Sequence, residues 1–162
     1  MLEDTLTLYK LIVLYILSRV TFPLTNAQIS DFLLQKEYLD YLTLQQVISE
    51  LTEARLVSSE TIRNRTHLSI TPEGRETLRF FQNRIHHGIK EDVDTYFREN
   101  NFRLRSEVSV LGDYCYLPAV GEYQAHLTVT EKGVPLADIK LSVPTETMAM
   151  TVCDNWQEKN QN

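Results

Sequence analysis

A chain of 162 residues is long enough to bury one or two hydrophobic cores. Hydrophobic residues at 43% and charged residues at 23% exclude wholesale disorder, and a net charge of −6 excludes a protein that coats nucleic acid with a general positive field. The charge is uneven: residues 1–87 hold nine Lys/Arg against ten Asp/Glu, and residues 88–162 hold seven against twelve. Any contact with a polyanion must therefore come from a local basic feature in the first half. The N-terminal stretch has no signal-peptide pattern, and the longest apolar run, Leu11–Leu17, falls far short of the roughly 20 residues that span a bilayer. A cytoplasmic protein without a membrane partner is expected, and Cys115 and Cys153 suit free thiols in that reducing compartment.

The first predicted helix starts near Glu3 to Thr5 and runs to Arg19, with apolar residues on more than one face, so it should be buried on most sides. Phe22-Pro23 ends it. Two helix starts with the same grammar follow. Thr25 and Gln28 can form a capping box with Leu24 and Ile29 as a hydrophobic staple, and Thr43, Gln46, Leu42 and Val47 repeat the pattern. The helices they open cover about 26–36 and about 44–55, joined by the linker Glu37–Leu42.

After Arg55 the hydrophobic period changes. Residues 56–62 and 67–71 read as strands around a hairpin tip, Arg63-Asn64-Arg65-Thr66, with Asn64 suited to a left-handed turn position. Thr71-Pro72-Glu73-Gly74 starts another helix, with Leu78, Phe81 and Ile85 inward, that ends near His86-His87-Gly88. The order helix, helix, helix, strand, tip, strand, helix is that of a winged helix-turn-helix, predicted over 1–87. Residues 88–162 are predicted as a small α+β unit serving dimerisation or sensing: a helix over Ile89–Asn100, three antiparallel strands, and a final helix capped by Thr145. Phe102, Leu104, Val108 and Val110 share one parity, as do Tyr123 to Val129 and Ala137 to Val143, and Glu131-Lys132-Gly133 supplies a tight turn.

The motifs of phosphate-cradling loops, zinc proteases, nucleophile elbows and paired cysteines are all missing, so no enzyme and no cofactor is expected. His86 and His87, adjacent on a helix, diverge by about 100° and suit a helix C-terminus better than a shared metal ion. Cys115 and His126 lie on neighbouring predicted strands without the further ligands a zinc site needs. Asp113, beside Gly112, reads as a turn residue and Asp138 as an outward strand residue. Tyr114, Tyr116 and Tyr123 could line a ligand pocket, although aromatic residues on strands more often belong to a core.

Two surfaces point to double-stranded DNA as a partner. One is the polar side of the third helix, Thr43, Gln45, Gln46, Ser49, Thr52 and Glu53, since glutamine can pair bidentately with adenine. Glu50 and Glu53 oppose that reading through phosphate repulsion. The other surface is the wing, where Arg63, Asn64 and Arg65 could reach backbone phosphates or a narrow minor groove.

The stretch TIRNRTHLSITPEGRETL resembles the wing and following helix of MarR- and PadR-like regulators. Over the full length, TLYKLIVLYIL, FPLTNAQISDF, YLTLQQVISEL, ETIRNRTHLSITPEGRETL, FRLRSEVSVLGDYC and CDNW are similar to the bacterial domain-of-unknown-function family 4364. The resemblance implies a family proposed to contain DNA-binding regulators and supplies no ligand, operator or catalytic residue. MarR- and PadR-like proteins dimerise through long terminal helices, whereas this chain ends in predicted strands and one helix, so their dimer geometry does not carry over. The expectation is a homodimeric DNA-binding transcriptional regulator. The alternative is a winged helix used for protein contact.

Overall fold

The computed structural model describes residues 2–131 and 134–159. It is a mixed α+β chain with six α-helices and two three-stranded sheets among the described residues. By their internal contacts the residues group into two compact units, Met1–Glu60 with Thr66–Asn101, and Thr61–Arg65 with Phe102–Asn162.

In the first unit, α1 (Leu2–Ser18) buries an unbroken run from Leu11 to Leu17. β1 (Leu24–Thr25) follows, then α2 (Asn26–Gln35) and α3 (Tyr41–Glu53). The Thr25–Gln28 capping box forms as expected: each backbone N–H donates to the other residue's side-chain oxygen, at 3.1 and 2.9 Å. The Thr43 box does not form. Asp40 is the cap of α3, accepting at 2.8 Å from the Thr43 N–H, and the helix therefore begins three residues before the expected position, taking in Tyr41 and Leu42. A carboxylate at the positive end of the helix is the stronger acceptor, and the hydrogen bonds it accepts from Thr43 hold the Asp40 carboxyl below the usual range.

Both helices end alike. Tyr38 N–H donates to Leu33 O and Glu37 N–H to Leu34 O after α2, while Leu56 N–H donates to Leu51 O and Arg55 N–H to Thr52 O after α3. These are Schellman ends with Glu37 (φ 57°) and Arg55 (φ 62°) in the left-handed position that glycine usually takes.

β2 (Val57–Ile62) and β3 (Arg65–Ile70) enclose a two-residue turn, Arg63-Asn64, with φ of 51° and 66°. Two successive positive φ values give the turn whose twist matches that of the strands it joins. β1 adds to β3 through Leu24↔Leu68 and Thr25↔His67, making a sheet of order β1-β3-β2. Thr71 caps α4 (Pro72–Phe81) as expected and also donates its hydroxyl toward Arg55 O and Leu56 O. Gly74 is required there: a Cβ would stand 2.2 Å from Leu56 O. Leu78 and Ile85 are buried as expected, but Phe81, the last residue of α4 before a short 3-10 turn at Gln82–Arg84, is 42% exposed.

α5 (His87–Ser109) is the largest departure from expectation. Phe102–Ser109 was expected to be strand and is helix. Leu104 and Val108 satisfy an alternating pattern and a four-residue helical spacing equally well, and both are buried, whereas Phe102 is 76% exposed. Asn100 does not stop the helix, since its side chain donates to Tyr96 O at 2.8 Å within it. Within α5, the residues up to Asn101 belong to the first unit and those after it to the second.

The second unit carries β4 (Val110–Leu117), β5 (Glu122–Glu131) and β6 (Val134–Val143) in antiparallel order β4-β5-β6, with α6 (Glu146–Lys159) against them. The expected tight turn at Glu131-Lys132-Gly133 lies partly outside the described residues. Thr145 caps α6 through the Met148 N–H at 3.2 Å. Ala125, Leu127 and Cys153 form the core between sheet and helix, flanked by Tyr114, Val152 and Trp156. Gly112 admits the close approach of α6, since a Cβ there would lie 3.1 Å from the Cys153 backbone. No described helix is long and apolar enough to cross a membrane.

Candidate nucleic-acid interface

α3 buries Leu44, Val47, Ile48 and Leu51 and turns the rest of its surface outward. The exposed stripe is Leu42, Gln46, Ser49 and Glu53, with Tyr41 beside it. Leu42 is 80% exposed and Tyr41 54%. Both were expected in a linker, and only the earlier start of α3 brings them onto the helix. Of the expected contact residues, Gln46 and Ser49 lie open on this stripe, while Thr43 is half-buried in the first turn beside its cap.

Gln45 is engaged within the protein. It exchanges two hydrogen bonds with Asn26, at 2.7 Å as acceptor and 3.0 Å as donor, and Ser30 donates to the same Asn26 oxygen at 3.1 Å. This amide pair joins the first turn of α2 to α3 and fixes how α3 is presented. Reading bases with Gln45 would require breaking it. Sequence spacing alone could not have paired positions nineteen residues apart.

The two acidic groups differ. Glu50 points back to Lys10 of α1 at 3.7 Å, which offsets its repulsion of a phosphate, whereas Glu53 is exposed. Thr52 is turned inward along its own helix, donating to Ile48 O at 2.8 Å.

At the hairpin tip Asn64 and Arg65 are exposed. Arg63 is engaged within the protein. Its guanidinium donates to Asp154 of α6 at 2.6 Å and stacks 5.6 Å from the centre of the Tyr114 ring, leaving its side chain 20% exposed. Asp154 itself is 62% exposed, so the pair is open to competition from another anion. His67, the third residue of β3, is buried opposite Thr25.

A family model described as a domain of unknown function, DUF4364, matches residues 9–162. The chain belongs to the DUF4364 family. No curated protein and no solved structure matches it. Since the match covers both units, the amide pair on α3, the two-residue tip and the Arg63–Asp154 contact all lie inside the DUF4364 region.

The other sequence candidates resolve into packing. His87 begins α5 and pairs with Glu91 one turn on at 3.0 Å, and His86 accepts from the Gly88 N–H at 3.0 Å. Both therefore lie at a helix N-terminus and not at the C-terminus expected for them. Asp113 is not a turn residue: it lies within β4 opposite His126, and Gly112 before it serves helix packing. Cys115 is opposite Gln124, and His126 bonds Asp138 at 2.6 Å. Among the described residues no cluster of three His, Cys, Asp or Glu could hold a metal ion. Tyr114, Tyr116 and Tyr123 pack on one another with centroids 5.1 and 6.2 Å apart, and burial with a hydrogen bond to Glu146 pushes the Tyr114 hydroxyl up.

Proposed function

We propose that this chain is a DNA-binding transcriptional regulator built on a winged helix-turn-helix over residues 1–87. Residues 88–162 serve dimerisation or signal sensing. The observation that carries the reading is the order of elements over residues 1–87. Two short helices in succession present the second through an Asn26–Gln45 amide pair. A two-residue hairpin, whose sheet is completed by β1 from between α1 and α2, follows them. In a protein of that design the second helix of the pair enters the major groove and the hairpin lies on the flanking backbone or in the minor groove. The exposed Gln46 and Ser49 would meet base edges, and Arg63, Asn64 and Arg65 would meet phosphates, with Arg63 exchanging Asp154 for DNA.

The test is an electrophoretic shift with the DNA upstream of the protein's own gene, at two salt concentrations. Retardation that weakens with salt is expected. Arg63→Ala combined with Arg65→Ala should weaken binding evenly across sequences and flatten the salt slope by about two units per bound protomer. An unchanged slope would remove the wing from the interface.

A second reading, protein contact through the same helix, is favoured by Leu42 and Tyr41, which expose apolar surface at the start of α3 where a DNA reader usually places polar side chains. The absence of any shift at low salt would favour it.

A further inference from the structure

β6 is an edge strand whose apolar side is not covered. Ala137, Ile139, Leu141 and Val143 share a face with the buried Leu127 and Ala125, yet Ile139 is 39% and Leu141 41% exposed, and only Val143 is buried. The cause is the placement of α6. Gln157 donates to Val110 O on β4, Trp156 donates to Thr128 O on β5, and Tyr114 of β4 reaches Glu146. The helix thus lies over β4 and β5. Its opposite flank carries the exposed Met148 and the half-buried Val152.

We propose that a second copy of this chain covers the strip by pairing its own β6 antiparallel to this one, about a two-fold axis through Ile139. The charges on the strand select that arrangement. Residues directly opposite in an antiparallel pair share a face, so apolar positions must meet apolar ones, and only registers centred on a residue satisfy this. Centring on Ile139 places Asp138 opposite Lys140 of the second copy, twice by symmetry. It also stacks Ile139 on its mate and sets Ala137 opposite Leu141. A centre one residue earlier sets Asp138 against itself, and one residue later sets Lys140 against itself. Like charges directly opposite are destabilising, which leaves the Ile139 register favoured over its neighbours. Pro135, the second residue of β6, and Pro144, just after its end, limit how far pairing can extend. The product is a continuous six-stranded sheet with both α6 helices on one face and Ile139, Leu141 and Met148 of each copy between them, an isologous contact that closes on itself.

This deepens the dimer part of the regulator reading and rests on it for its biological meaning. Its test does not use DNA. The full chain is followed by sedimentation over a concentration series. Wild type should sediment as a dimer. Asp138→Lys and Lys140→Asp should each raise the dimer Kd about tenfold or more, and the double variant should recover the wild-type value. In a Cys115→Ser background, Ile139→Cys should oxidise to a covalent dimer, because residues facing across the axis have Cα atoms about 4.5–5.5 Å apart, within disulfide range. Ser142→Cys should not, since the two copies of that residue would be about 20 Å apart along the strands. The thiol pair decides the matter even if a charge variant fails to fold. A wild-type monomer at every concentration, a dimer indifferent to both single charge variants, or equal cross-linking at 139 and 142 would overturn the proposal. A β6 dimer that shifts no DNA would sink the regulator reading and leave this one standing. DNA binding by a monomer would do the reverse.

Discussion

Tyr15 sits among charges that its sequence position does not advertise. Its hydroxyl donates to both oxygens of Asp94, at 3.0 and 2.9 Å, and Arg19 binds the same carboxylate at 2.9 Å. Arg19 and Lys90 stack on its ring. Burial, then the Asp94 hydrogen bond, push the Tyr15 hydroxyl from 10.0 up to about 12, and Tyr38, donating to Asp92 at 2.5 Å, is pushed to about 12 for the same reasons. A raised folded value favours the neutral phenol, so the stabilisation is fully present below the ordinary pKa of 10.0 and is lost as pH rises through about 12. Tyr15→Phe should cost about 1–2 kcal/mol near neutral pH, since Asp94 keeps Arg19 as a partner. It should also make the loss of stability above pH 10.0 less steep, as measured by chemical denaturation across that range. The apolar face of α1 was legible as a buried helix, but these long-range partners were not, because periodicity reports faces and is silent about which carboxylate meets which hydroxyl.

At the scale of elements, helix starts were more legible than helix ends. Thr25–Gln28 and Thr71-Pro72-Glu73-Gly74 are local side-chain signals, and both operate. Thr43 was outcompeted by Asp40 because two acceptors lay within one turn and spacing could not rank them. The ends of α2 and α3 were harder still, since their left-handed residues are glutamate and arginine in place of glycine. That substitution suggests a direct measurement. Glu37→Gly and Arg55→Gly should each stabilise the protein by about 0.5–1 kcal/mol, read as a rise in Tm, because relief of the left-handed penalty exceeds the entropy cost of glycine. If either lowers Tm, the side chain contributes contacts that outweigh its backbone strain. α5 escaped for a different reason: Leu104 and Val108 fit both periods, and nothing in Phe102–Ser109 carries a stop signal. β6 shows the complementary failure, where parity was read correctly but burial was not, because burial depended on where α6 came to lie.

For the whole molecule, the α+β class and the antiparallel pairing of the last two strands were legible, whereas the place of the sheet's first strand, expected from Phe102 and found at Val110–Leu117, and the grouping of the hairpin tip with residues 102–162 were not. The net charge of −6 leaves few cations to meet a polyanion, so the proposed DNA contact would rest on particular residues more than on a general field. The packing of α6 on Gly112 has a kinetic consequence. Cys115 is exposed, while Cys153 is fully buried on the side of α6 that packs against the sheet, with its thiol pushed up chiefly by burial. Only the thiolate reacts, and at Cys153 both its population and its access are suppressed until the helix lifts from the sheet. A disulfide-exchange reagent should therefore consume one thiol at once and the second at a rate set by that opening, which rises with mild denaturant. If two thiols disappear together under native conditions, α6 is not held as described. The buried thiol thus works as a clock for the detachment of one helix, readable without any added label.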